Sequence, residues 1–196
     1  MGQYYKPCSL NSKEWLYSHK YDNGSKLMEH SYIKNKLVMT VESLLAEGKK
    51  WFKHKLVWAG DYADGETEGK NDTIYSRLKD EMEIIPNKSN RYYRFLINHD
   101  LEEFVDKDKV RDINGIKGYK IHPLPLLTCE GNGRGGGDFR GGSSFVGNWA
   151  RNRISVSDER PKGFAEIIPH FNEEGGKKKE YETVTKVKVT GICFED

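Results

Sequence analysis

Three features of the sequence predict an α+β fold, a largely antiparallel sheet with one main helix packed on a face. Strand-like runs outnumber helical ones. Several neighbouring runs are joined by short turns, as in antiparallel hairpins. One stretch, about residues 27–47, holds a sustained helical stripe, with Leu37, Val38, Val41, Leu44 and Leu45 on one face and Gly48 as a stop. A long glycine-rich loop, between two apolar runs, completes this description.

The chain opens with a tyrosine-rich run at residues 3–10, read as a strand, and a second strand at 15–19. Asn11, Ser12 and Lys13 suit the hairpin turn between them. Asp22, Asn23 and Gly24 form a strong turn signal ahead of the helix, because all three tolerate the left-handed conformation. Residues 55–59 read as a strand, followed by a loop, 60–65, with Asp61 and Asp64. Asp72 is a candidate cap for a helix to Met82, since Ile74, Leu78 and Met82 recur every four residues. Residues 92–98 and 101–105 read as a tight hairpin. Asn114, Gly115 and Gly118 mark a further turn. Residues 119–128 read as extended, an edge strand because Pro123 and Pro125 cannot donate ladder bonds. Strands are expected at 153–157 and 164–168, then a solvated loop at 175–179. Strict alternation from Tyr181 to Val189 predicts a half-buried strand.

Length and composition bound the function. The chain has 196 residues, enough for one well-buried core or at most two small ones. No repeat or boundary divides it, so 1–196 is read as a single domain. Basic and acidic residues number 32 and 30, leaving a net charge of +2 and no global drive toward nucleic acid or membrane. The three cysteines, Cys8, Cys129 and Cys193, are far apart and form no CxxC pair, which argues against a zinc ribbon or a disulfide framework and fits a reducing cytoplasm. No signal-peptide pattern or membrane-length apolar run is found. Lys6 argues against myristoylation of Gly2.

The candidate site is the glycine-rich loop. Its residues are Gly131, Asn132, Gly133, Arg134, Gly135, Gly136, Gly137, Asp138 and Arg140, followed by Trp149 and Arg151. Gly131, Gly133 and Gly136 match the dinucleotide fingerprint literally, but the glycines that follow cannot easily start the helix that this fingerprint needs. A second reading is an anion-binding nest of backbone N–H groups, with Arg134 and Arg140 adding forked donors for phosphate. The plain alternative is a loop whose glycines serve only steric needs. Trp149, Arg151 and Arg153 extend a basic and aromatic zone that could stack on a base; a buried tryptophan flanked by surface arginines is the other account. Cys129, beside Glu130, reads as a small buried residue, since a carboxylate raises a thiol pKa.

Acid–base candidates lie in loops at strand ends: His19, His30, His99, His122, Asp61, Asp64 and Glu130. No pair has a tight motif such as HExxH, and each histidine singly has a structural alternative. Asp61 and Asp64 resemble a divalent-cation loop, but two carboxylates are too few, so no metal is assigned. No case is made for His54 or His170, and no cofactor is assigned.

Several motifs together resemble a family of uncharacterised proteins from bacteria, phages and mobile elements. They are Met-Gly-Gln-Tyr-Tyr-Lys at 1–6, Tyr-Ser-His at 17–19, Lys-Leu-Met-Glu-His-Ser at 26–31, Val-Trp-Ala-Gly-Asp-Tyr-Ala-Asp at 57–64, Ile-Asn-His at 97–99, and His-Pro-Leu-Pro-Leu-Leu-Thr at 122–128 with the glycine loop. The resemblance spans most of the chain and implies an intracellular, phage-linked protein, with no catalytic assignment. The expectation drawn from the residues is binding of an anionic, nucleotide-like ligand at the loop, with hydrolysis or transfer as the reaction class of an enzyme. The rivals are a non-enzymatic module that binds or inhibits a host protein and, disfavoured by the balanced charge, a single-stranded nucleic-acid binder.

Overall fold

Short runs rich in β-branched and aromatic residues build an eight-stranded sheet, in a computed structural model that describes residues 3–68, 70–110, 120–131 and 145–171. In chain order the strands are β1 (Tyr5–Ser9), β2 (Glu14–Trp15), β3 (His54–Gly60), β4 (Phe95–Asn98), β5 (Glu103–Asp106), β6 (Cys129–Glu130), β7 (Arg153–Ser157) and β8 (Ala165–Glu166). The helices are α1 (Leu27–His30), α2 (Lys36–Leu45), α3 (Ile74–Arg77) and α4 (Pro123–Thr128). The spatial order is β2-β1-β3-β7-β4-β5-β8, with β6 pairing β3. Most pairs are antiparallel; β6 on β3 and β8 on β5 are parallel. The α+β class expected from the sequence is therefore the class observed. Among the described residues no helix is long and apolar enough to cross a membrane.

The sheet has two unequal faces. On one, Tyr5, Leu56, Trp58, Leu96, Val105, Ile154 and Val156 meet Leu37, Val38, Val41 and Leu45 of α2 and Leu124, Leu126 and Leu127 of α4. On the other, two small clusters form. Cys8, Trp15, Val57 and Ala59 lie with Ile74 and Leu78, while Phe95, Ile97 and Phe104 lie with Phe164.

The main helix is shorter than its stripe suggests. Residues 31–35 break it, because Ser31 Oγ turns back to the Leu27 carbonyl, Lys34 is left-handed and Asn35 caps α2 by accepting from Val38 N. The interrupted chain pairs with the segment before α4, Ile33 N donating to the Lys120 carbonyl and His122 N to the Ser31 carbonyl. Three further expectations are corrected. The strand at 15–19 stops at Trp15, and Ser18–Tyr21 winds as a 3-10 turn. The helix at 72–82 shrinks to α3 and a separate 3-10 turn, Asp80–Met82; its cap is Thr73, since Asp72 is engaged by Thr67 and Arg77. The extended edge at 119–128 is instead the helix α4 from Pro123 onward. Both prolines fall in its first turn, where missing N–H groups break no intrahelical bond. The turn at 114–118 and the loop and strand at 175–189 lie outside the described residues.

Gly60 and Gly131 let the start of the glycine-rich loop close on the sheet. A Cβ on Gly60 would lie 2.6 Å from the Glu130 carbonyl oxygen and 2.6 Å from Gln3 Nε2. Gly60→Ala is expected to lower stability by about 1–3 kcal/mol, because backbone has to move. A urea titration reads this directly; an unchanged midpoint would show that β3 and β6 can separate freely.

Candidate functional site

Of the histidines singled out in the sequence, His122 has the most unusual setting. It is the N-cap of α4, and its Nδ1 accepts from Leu124 N at 3.3 Å. Its Nε2 lies 3.1 Å from Glu42 Oε1. Lys107 Nζ donates to the same oxygen at 2.5 Å. Glu42 projects from the buried face of α2, and Lys107 leaves β5 on the helix side of the sheet, with its ammonium 4.2 Å from the Tyr92 ring centroid. The Lys107 and Glu42 side chains have no exposed surface and His122 has 1%. Glu42 Oε2 is buried and has no hydrogen-bond partner.

The charge states follow from this geometry. Since Nδ1 accepts a backbone N–H, the neutral tautomer with hydrogen on Nε2 donates to Glu42. Burial lowers the His122 pKa, and the Glu42 field only partly opposes this. Burial pushes the Glu42 carboxyl up, but His122 and Lys107 outweigh it and hold the carboxyl below its ordinary value. Burial likewise lowers the Lys107 ammonium against the opposing pull of Glu42. The group is an ion pair with a neutral histidine as third member.

His30 is a core histidine. Its Nδ1 accepts from Trp58 Nε1 at 3.0 Å, and its Nε2–H donates to the Gly24 carbonyl at 2.8 Å. Burial lowers its pKa to about 4. His99 Nε2 lies 2.7 Å from Ser155 Oγ, a spacing open to nucleophile and base. Ser155, however, is buried within β7, and Asp100, the nearest orienting carboxylate in sequence, is held by Arg153. Burial, then Lys53 and Arg153, lower the His99 pKa. His19 is exposed and bonds Ser25 Oγ. The four histidines thus bond to different partners; His19 and His30 come near each other, through the neighbouring Ser25 and Gly24.

Glu130, Gly131 and Arg151 do come together, at the stem of the glycine-rich loop. Arg151, left-handed with φ 65°, forks onto Glu130 through Nε and Nη2 at 2.5 and 2.8 Å and onto Glu66 through Nη1 at 3.0 Å. Two carboxylates thus neutralise the guanidinium, which corrects the expectation of Arg151 as an anion ligand. Trp149 is also reassigned. Its ring is fully buried and its indole donates to Glu103 Oε2 at 3.1 Å, so no ring face is left for a base. Asp61 accepts from Tyr4 N at 3.0 Å, and Asp64 is exposed. Cys129 is buried, which raises its thiol pKa to about 12. Asn132, Gly133, Arg134, Gly135, Gly136, Gly137, Asp138 and Arg140 lie outside the described residues. Among the described residues, no cluster of three or more His, Cys, Asp or Glu side chains could hold a metal ion.

Sequence reading missed Glu42, Lys107 and Glu66. A signal existed for the first. Glu42 stands four residues after Val38 and three before Leu45, squarely on the apolar stripe of α2. Lys107 and Glu66 gave none, because their partners are remote in sequence. Comparison with known protein families, with curated proteins and with solved structures gave no match.

Two outcomes follow. Lys107→Met is expected to destabilise the fold by about 3–5 kcal/mol by leaving Glu42 charged with only the neutral His122 as donor, and Lys107→Met with Glu42→Leu to recover most of it. Additive losses in a denaturation cycle would contradict the coupling. Because the His30 pKa is depressed when folded, its contribution is complete above the unfolded value near 6.5 and is lost as pH falls through about 4. Its share is about 3 kcal/mol at most, and it should be missing from the pH profile of His30→Gln. A profile identical to that of the parent would contradict this.

Proposed function

We propose that the protein binds an anionic small molecule of the nucleotide class at its glycine-rich loop, with Arg134, Arg140 and backbone N–H groups as the donors. The observation that supports this is that the chain on both sides of residues 132–144 is tied to the sheet and to α4. On one side, β6 pairs with β3, and Gly131 packs so closely that a Cβ there would lie 2.1 Å from Gln3 Nε2. On the other, Gly147 N and Trp149 N donate to the Leu126 and Leu127 carbonyls at 2.8 and 2.7 Å. The Arg151–Glu130 pair ties the two sides together. A loop held at both ends by a rigid scaffold loses less entropy on binding.

Binding, rather than turnover, is the reading the described residues favour, since Glu130 is held by Arg151 and the histidines are engaged elsewhere. The buried free thiols Cys8 and Cys129 suit a reducing cytoplasm, and a phage-linked origin stays part of the proposal. The second reading, a non-enzymatic module that binds or inhibits a host protein, draws support from Trp149 and Arg151, whose polar groups serve the fold rather than a ligand.

The test is native mass spectrometry of protein purified gently from a lysate, followed by titration with adenine and guanine nucleotides. A nucleotide-sized adduct and a loss of affinity of roughly tenfold or more on Arg134→Ala are expected. Unchanged affinity in Arg134→Ala, or a bare protein mass with no nucleotide binding, would sink the ligand reading.

A further inference from the structure

The start of α4 depends on a single ring nitrogen. The N-cap and first three residues of a helix carry N–H groups with no intrahelical acceptor. Here His122 N donates to the Ser31 carbonyl at 2.9 Å, and Pro123 and Pro125 have no N–H to satisfy. Leu124 N is left, and it donates to His122 Nδ1. Both residues are buried, so water is a poor substitute for that acceptor.

Nδ1 accepts only while the ring is neutral. Because Nε2 already carries its hydrogen toward Glu42 Oε1, an added proton has to go to Nδ1. The imidazolium then sets one N–H against another, 3.3 Å from Leu124 N, and leaves two buried donors without an acceptor. The surroundings of the ring decide when this happens. Glu42, from α2, faces Nε2 at 3.1 Å, and Lys107, from the turn after β5, lies 3.4 Å from the same nitrogen. Tyr92 lies against the Lys107 ammonium, and Asp108 and Asp158 act on it. The neighbouring groups of α1 and β3 are engaged elsewhere: Glu29 bonds Lys26 N, His30 bonds Gly24 and Trp58, and His54 bonds Ser9 Oγ. No side chain of α4 itself titrates. Burial outweighs the pull of Glu42 on His122, so the cap is intact at neutral pH and is lost on the acid side of the unfolded value near 6.5.

The helix that this nitrogen caps is a platform for the chain on both sides of residues 132–144. Thr128 runs directly into β6, and the Leu126 and Leu127 carbonyls accept from Gly147 N and Trp149 N. We propose that His122 is an acid-sensitive latch: one proton taken from solvent onto Nδ1 breaks the cap, frees the first turn of α4 and loosens the platform that joins β6 to residues 147–149. Nothing else needs to gain or lose a proton. The latch rests on the cap geometry and does not depend on the nucleotide reading.

The test is amide hydrogen exchange of the full chain at about pH 7 and about pH 5, with each rate corrected for its intrinsic pH dependence. Protection of α4 is expected to fall at the lower pH by roughly tenfold or more relative to that of β4 and β5. His122→Asn keeps a capping acceptor that cannot titrate, so there the extra fall should vanish, whereas in His30→Gln it should persist. Nitrogen NMR of the His122 ring in the parent chain needs no variant. It should show Nδ1 bare at neutral pH and protonated over the range where α4 loses protection. Hydrogen on Nδ1 at neutral pH, equal changes in α4 and in β4 and β5, or the same extra fall in His122→Asn would each overturn the proposal.

Discussion

A lysine, a glutamate and a histidine with virtually no exposed surface hold three parts of this molecule in one arrangement. Glu42 belongs to α2, Lys107 to the turn after β5, and His122 to the cap of α4. Taking a charge out of water is costly, so each member tolerates its position only while the other two stay in place. Such a group stabilises the fold little relative to a well-packed apolar core of the same shape. Its effect lies in penalising every arrangement that parts α2 from β5 or α4. The unpaired Oε2 of Glu42 shows that the match is incomplete, since two donors share one oxygen and the other has none.

The same rule of internal satisfaction recurs at the tryptophans. Each of the four donates its indole N–H, Trp15 to the Lys79 carbonyl, Trp51 to Glu14, Trp58 to His30 and Trp149 to Glu103. Large rings supply the apolar area, and their single polar atom sets the orientation. His30, an acid–base candidate in the sequence, and Glu103 are acceptors for the core. Arg151 follows the same logic at the loop stem, where two carboxylates absorb its charge. Polar side chains of catalytic type are therefore spent largely on architecture.

Legibility in sequence followed the range of the interaction. The stripe of α2, the hairpin of β4 and β5 and the left-handed turn at Asp22 depend on neighbours a few residues away, and all appear where periodicity and turn chemistry put them, whereas α2 stops at Leu45, before the left-handed Gly48. The helix α4 was misread because prolines speak equally for an edge strand and for a first helical turn. Only the buried surroundings of Leu124, Leu126 and Leu127 chose between them. For the site, the sequence singled out Glu130, Gly131 and Arg151, yet did not reveal that Arg151 pairs with Glu130 and Glu66, since Glu66 lies 85 residues away.

The sequence by itself determined the α+β class, the face that α2 buries, and the charge balance, for these rest on local period and composition. Tertiary structure alone decided which polar groups meet: Lys107 with Glu42 across 65 residues, Trp58 with His30 across 28, and Tyr4 with Asp61 across 57. The physical reason is that burial and hydrogen bonding depend on distance in space, and the sheet order that brings these residues together is set by long-range pairing rather than by any neighbour in the chain.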